Sequence, residues 1–193
     1  MLYLVRHGET VLHKGLCIGQ TDISLAEEGI AHISEKTLPQ LLALQLENPR
    51  IIASPLRRTM QTAEILDYEL KVGIEREPAL KEINLGKWDG LPFSYIQKNW
   101  PEEYKQRGEN FAHFRTPNGE SFFDVQQRAL EAVLPLCRMT KSLILVTHAG
   151  VIRTLLCAAN QTPLQELFTY KPATGSITLL HKQVFLEKTL YLE

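Results

Sequence analysis

Two apolar runs, residues 2–5 (Leu-Tyr-Leu-Val) and 143–146 (Leu-Ile-Leu-Val), each lead through one polar residue to a histidine: Arg6-His7-Gly8 after the first, Thr147-His148-Ala149 after the second. Short runs without polar alternation are what strands buried on both faces need. Such strands occur almost only in parallel sheets covered by helices. The sequence between them has that rhythm. Ser24-Leu25-Ala26-Glu27 has capping-box spacing and predicts a helix carrying Ile30, Ile33, Leu41 and Leu42, kinked or ended by Pro39. Ile51-Ile52 reads as a strand, and Ser54-Pro55 as the N-cap and first position of a helix with Leu56, Met60 and Ala63 on its apolar stripe. Residues 70–74 read as a further strand. Val125, Ala129, Val133 and Leu136 fall in register on one helix, and residues 178–181 and 184–192 read as late strands, antiparallel near an edge. The expectation is an α/β fold with a mostly parallel sheet, formed by residues 1–193 as one domain.

Composition narrows the function classes. In 193 residues, 21 Lys and Arg face 22 Asp and Glu, a formal net charge of −1. That gives no global field toward nucleic acid or an anionic membrane. No apolar run approaches the roughly 18 residues of a membrane span, and no basic leader precedes the first strand, so a soluble cytoplasmic protein is expected. Three cysteines, Cys17, Cys137 and Cys157, form no C-x-x-C pair, which argues against a disulfide framework or a zinc knuckle. Nothing in the sequence assigns an oligomeric partner. Nine aromatics crowd into residues 88–123: Trp88, Phe93, Tyr95, Trp100, Tyr104, Phe111, Phe114, Phe122 and Phe123. They suit a helical insertion packed on itself, or a lid offering flat apolar surface to a ligand.

In an open parallel sheet, ligands bind beyond the carboxyl ends of the strands, so histidines ending two such strands are expected to face one crevice. Metal binding is disfavoured, because neither histidine has an i, i+4 histidine partner or a following Asp/His cluster. Cysteine-based phosphate chemistry needs an arginine six positions after the thiol, where Ile23, Leu143 and Pro163 stand. No Gly-Lys-Ser/Thr phosphate loop exists. What remains is a histidine nucleophile attacking phosphorus, with cations around the transferred group and an acid for the leaving oxygen. Arg6 adjoins His7, and Arg57-Arg58 lies in the first turn of the second helix. Glu82, beside Trp88, suits the acid, although spacing alone does not choose it over Glu77.

The ordered blocks Arg6-His7-Gly8-Glu9-Thr10, Gly19-Gln20-Thr21-Asp22, Ser54 to Ala63, Glu82 with Gly86, Trp88 and Gly90, and Thr147-His148-Ala149-Gly150-Val151 resemble the histidine phosphatase superfamily, in its phosphoglycerate mutase-like branch. The resemblance implies a three-layer α/β/α sandwich with a lid-like insertion at about 88–123, and neither metal nor cofactor. It implies His7 as phosphoryl acceptor, Arg6, Arg58 and His148 as the phosphate pocket, and Glu82 as acid and then base. It selects Arg58 over Arg57. Position 13 departs from the family pattern, with His13 where an asparagine is common near the phosphate. Thr10 and Leu12 depart from the acid-phosphatase branch. The segment 86–93, the block 117–121 with Arg128, and residues 19–22 look most like alpha-ribazole phosphatases. That likeness implies a small-molecule phosphate monoester as partner, alpha-ribazole 5′-phosphate of cobalamin nucleotide-loop assembly, with Gly19, Gln20, Glu120 and Ser121 also near it. A broad-specificity phosphatase and a phosphoglycerate mutase are the alternatives, the mutase being disfavoured by the short chain. Ser121 and Glu120 equally suit the cap and first turn of a helix.

Overall fold

The computed structural model of the chain describes residues 1–11 and 15–189. Five strands form one sheet: β1 (Leu2–Arg6), β2 (Pro49–Ala53), β3 (Ile74–Arg76), β4 (Ser142–Thr147) and β5 (Ile177–Leu180). Their order is β3-β2-β4-β1-β5, parallel except for β5, which pairs antiparallel with β1 at the edge. Successive residues on a strand point to opposite faces. Leu2, Leu4, Ile52, Leu143 and Leu145 therefore enter one core with α6 (Phe122–Met139), α7 (Ala149–Asn160) and α8 (Lys182–Thr189). Tyr3, Val5, Ile51, Ile144 and Val146 enter the other, beneath α1 (Glu27–His32), α2 (Leu38–Ala43) and α3 (Arg57–Leu70). The outcome is an α/β/α sandwich. Among the described residues no helix is long and apolar enough to cross a membrane.

Several local expectations are corrected. Ser24 caps nothing: Leu25 is drawn into a bridge with Thr10, and α1 begins at Glu27 with Ala26 as an N-cap that offers no side-chain bond. Pro39 neither ends nor breaks the helical path. A π turn over Ile33–Thr37 precedes it, the Leu38 amide reaches back to Ile33 O, and the widened turn accommodates a residue that has no N–H. Ile30 and Leu42 of the expected stripe are exposed, whereas Ile33 and Leu41 are buried. Ser54 continues the sheet ladder through its amide to Val146 O, and α3 starts at Arg57 with Leu56 as N-cap. Of residues 70–74 only Ile74 is in a strand: Lys71 ends α3 in the left-handed conformation, Asp67 receives the amides of Val72 and Gly73, and β3 begins at Ile74. Residues 182–189 form helix α8 because Phe185 and Thr189, one turn apart, are buried together.

The aromatic segment holds α4 (Phe93–Asn99) and α5 (Pro101–Glu109). Trp88 packs on Trp100 and Phe114 at ring separations of 6.5 and 5.9 Å, and Tyr95 meets Trp100 edge-on at 6.2 Å. These rings are occupied with one another. Leu145, fully buried in the central strand, has no polar alternative. Replacing Leu145 with Ala is expected to lower unfolding free energy by about 2–5 kcal/mol, read from the shift of the denaturant midpoint.

Candidate active site

Parallel pairing of β1 with β4 sets Arg6 opposite Thr147, and the ladder runs one step further as the His7 amide donates to Thr147 O at 3.0 Å. His7 and His148 thus leave adjacent strand ends together, with ring centroids 5.3 Å apart. His7 Nδ1 lies 2.7 Å from Gly8 O. A carbonyl only accepts, so Nδ1 carries the hydrogen and Nε2 keeps a free lone pair. Burial, then the neighbouring Arg58 guanidinium, lower the His7 pKa to about 3. The ring is a neutral base at neutral pH.

Arg58, 2% exposed at the start of α3, donates to Thr21 O at 2.9 Å, to Gly19 O at 2.8 Å and from Nε to His148 Nδ1 at 3.2 Å. A guanidinium never accepts, so His148 Nε2 carries that ring's hydrogen and donates it to Ser54 Oγ at 2.8 Å. Burial foremost, with Arg58 next, holds His148 well below the usual histidine range. Arg57 is exposed; its amide donates to Asp22 at 2.6 Å, and its side chain has no hydrogen-bonded partner among the described residues. Arg6 donates from Nη1 to Pro172 O at 2.9 Å, while its buried Nε has no partner among the described residues.

Glu82 reaches the same place from the loop before Trp88. Its Oε2 accepts the Gly150 amide at 3.0 Å and its Oε1 accepts the Ile83 amide at 2.9 Å. A carboxylate at the start of α7 also meets the positive end of that helix. Position 150 must be glycine for this approach, since a Cβ there would lie 2.1 Å from Glu82 Oε1. Arg6, His7, Arg58 and Glu82, with Glu9 and Thr10, line a cleft of about 230 Å³. Beyond Arg6 and Glu82 opens a second cleft of about 410 Å³, lined by Arg107, Arg153, Phe93, Phe122 and Phe168 among others. The larger groove between α1–α2 and α3, about 630 Å³, carries Glu64 and Glu69 and no cation, which unsuits it to phosphate.

Other expected site residues have different partners. Ser121 caps α6 in a box with Asp124, its hydroxyl 2% exposed as a residue and engaged at 2.8 Å. Glu120 pairs with Arg128 at 2.9 Å and accepts the Asn84 amide at 2.8 Å. The structure thus gives both side chains structural contacts. The Gly19 and Gln20 amides, with that of Thr21, are gathered by the Asp89 carboxylate at 2.8, 2.8 and 3.0 Å. Gln20 Nε2 donates to Glu82 O at 2.9 Å, so these residues hold Arg58 and Glu82 in place. His13 lies outside the described residues. Sequence reasoning missed Ser54 as the partner of His148, Asp89 as the anchor of the 19–21 turn, and Arg107 and Arg153 in the second cleft. Arg153, five residues after His148 and on the helix that begins there, is the one spacing points to. Burial raises all three thiols to about 11, and among the described residues no three His, Cys, Asp or Glu side chains converge to hold a metal.

A neutral histidine with a bare nitrogen, one buried and one half-buried guanidinium, and a carboxyl in one cleft are the groups that phosphoryl transfer calls for. The sequence profile described as the histidine phosphatase superfamily (branch 1) matches residues 2–184, and the chain belongs to that superfamily. It is 32% identical over 167 residues to a fructose-2,6-bisphosphatase of Saccharomyces cerevisiae, covering 86% of this chain and 35% of that protein. The chain spans between 22% and 35% of the length of the first curated relatives it matches. A mycobacterial glucosyl-3-phosphoglycerate phosphatase complexed with VO3 superimposes with a TM-score of 0.81 at 27% identity, over 91% of this chain and 90% of that one. The alpha-ribazole phosphatase of Shigella flexneri shares the fold, with a TM-score of 0.82 at 24% identity over 94% and 91%.

His7 has an unfolded pKa near 6.5 and a folded value of about 3, so between these the unfolded chain binds a proton the folded chain does not. Stability is expected to fall as pH drops from about 6.5 toward 3, with His148 adding in the same direction. Denaturant midpoints measured across that range check it, and His7→Gln should flatten part of the slope.

Proposed function

We propose that the chain hydrolyses phosphate monoesters in two displacements at His7. His7 Nε2 attacks phosphorus and the P–O bond to the alcohol breaks, while Glu82, entering as the acid, gives its proton to the departing oxygen. The Glu82 carboxylate then takes a proton from water as that water attacks the phosphohistidine. Phosphate leaves, and both groups are restored. Arg6 and Arg58 balance charge on the equatorial oxygens, and His148, neutral and bonded to Arg58 Nε, keeps that guanidinium aimed. The observation that carries the reading is the His7 Nδ1 bond to Gly8 O, which leaves Nε2 bare in a cleft that Arg6 and Arg58 line. His7→Ala is expected to abolish phosphate release. Undiminished release from that variant overturns the scheme.

For the leaving group, alpha-ribazole 5′-phosphate is supported by the aromatics of the second cleft, Phe93, Phe122 and Phe168, which suit a flat base. The same cleft favours a second reading more strongly. Arg153 uses Nε on Tyr170 O and lies over Phe168, and Arg107 stacks 5.1 Å from Phe111 without a hydrogen-bonded or ion-pair partner among the described residues. Glu82 is the one carboxylate on the lining. A leaving group bearing its own phosphate or carboxylate fits those cations, and a neutral base does not use them. This accords with a relative whose name specifies a bisphosphate. Phosphate release measured in parallel on alpha-ribazole 5′-phosphate, fructose 2,6-bisphosphate, 3-phosphoglycerate, a mononucleotide and glycerol 2-phosphate decides between them. The doubly anionic substrates are expected to lead, and Arg107→Ala or Arg153→Ala to raise KM for them roughly 10- to 100-fold, the worth of a charged hydrogen bond. A lead for alpha-ribazole 5′-phosphate that both variants leave intact favours the first reading. Level rates mark a broad-specificity phosphatase, and transfer without release marks a mutase.

A further inference from the structure

Arg128 lines neither cleft, yet its guanidinium is tied to the loop that carries Glu82. From α6, Nη1 donates to Ala79 O, and Nη2 to Glu82 O at 3.1 Å. Nε and Nη2 also clasp Glu120, at 2.9 and 3.1 Å to its two oxygens. Glu120 continues the tie: its Oε2 accepts the Asn84 amide at 2.8 Å, and its own amide donates to Asn84 O at 2.8 Å. One ion pair therefore fixes the backbone before, at and after Glu82. The two side chains are 21% and 24% exposed, so the forked geometry of the pair is largely shielded from competing water.

The loop is otherwise defined by the Gln20 Nε2 bond to Glu82 O at 2.9 Å and by the buried side chains of Ile83 and Leu85. Residues 82–85 belong to no helix or strand, and among the described residues the Glu82 carboxylate is held by two amides alone. One of these, from Gly150, belongs to the rigid start of α7. The other, from Ile83, moves with the loop. The distance from Glu82 to His7 thus depends on where residues 79–84 are pinned.

We propose that Arg128, together with Glu120, is a positioning residue for the proton-transfer group. The pair sets the backbone of residues 79–84 so that the Glu82 carboxyl faces first the leaving oxygen and then the attacking water. The proposal rests on Glu82 as the acid and base. Arg128 touches no reacting atom, so its loss acts on turnover and not on substrate binding. A displacement of about 1 Å at a catalytic group costs on the order of a hundredfold in rate.

The test compares an ester that needs its leaving oxygen protonated with one that does not. Arg128→Gln, Arg128→Lys, Glu120→Gln and, as reference, Glu82→Gln are assayed on glycerol 2-phosphate in the steady state. The same variants are assayed on p-nitrophenyl phosphate for the pre-steady-state burst of p-nitrophenolate. Arg128→Gln is expected to lower kcat on glycerol 2-phosphate roughly 10- to 100-fold with KM little changed, while the burst rate stays near that of the unmodified chain. Glu82→Gln shows the same split, more strongly. Arg128→Lys restores part of the turnover, because one ammonium replaces only part of the fork, and Glu120→Gln gives a smaller loss of the same kind. Should Arg128→Gln melt below assay temperature, the other two variants carry the comparison. Equal slowing of burst and turnover, or no slowing of either, while Glu82→Gln shows the split, overturns the role of Arg128 alone. Absence of the split in Glu82→Gln overturns the reading of Glu82 and the positioning role with it.

Discussion

The site depends on the register between β1 and β4. Because side chains alternate along a strand, a slip of one residue would turn the apolar set of β1 to the wrong faces and carry His7 away from His148. Burial on both faces prevents it: Leu2, Leu4, Leu143 and Leu145 lock one core, and Val5, Ile144 and Val146 lock the other. That same burial strips water from the two imidazoles where the strands end. Desolvation, reinforced by Arg58, keeps both rings neutral, and a neutral ring is what a nucleophile at His7 needs. Packing and chemistry share one cause here.

Local charge, and not net charge, then shapes the site. A chain with formal charge −1 gathers Arg6 and Arg58 around one small cleft and Arg107 and Arg153 around its neighbour, with Glu82 between them. The boundary between the clefts is where a scissile P–O bond would lie, with the phosphoryl group among the first pair of cations and the leaving group toward the second. An acid belongs at that junction. Glu82 stands there because α7 offers it the Gly150 amide and the segment around Glu120 and Arg128 pins its loop.

Much of this was legible in the sequence wherever periodicity and burial agree. The central strands follow from unbroken apolar runs, and the pairing of His7 with His148 follows from their repeated context. Choosing Arg58 over Arg57 and Glu82 over Glu77 required the family resemblance, since adjacent or nearby like residues have the same local pattern. The misreadings share a cause: local motifs give way to tertiary partners. Ser54 has the look of a helix cap, but the sheet ladder takes its amide and His148 its hydroxyl. Residues 184–192 have apolar runs at both ends that read as a strand, yet over 184–189 Phe185 and Thr189 bury at helical spacing, and residues 190–192 lie outside the described residues. Arg107 and Arg153 lie far apart in sequence and line one cleft only through the fold; spacing from His148 points to Arg153, and none points to Arg107.

The most direct test of the account is rapid-quench trapping of the phosphorylated enzyme during turnover of a phosphate monoester, with the modified residue located by proteolysis and mass spectrometry. An acid-labile phosphoryl group on His7, bonded through Nε2 and gone in His7→Ala, is the predicted result. A phosphoryl group on any other residue, or turnover that forms no phosphorylated enzyme under conditions that preserve phosphohistidine, would contradict it.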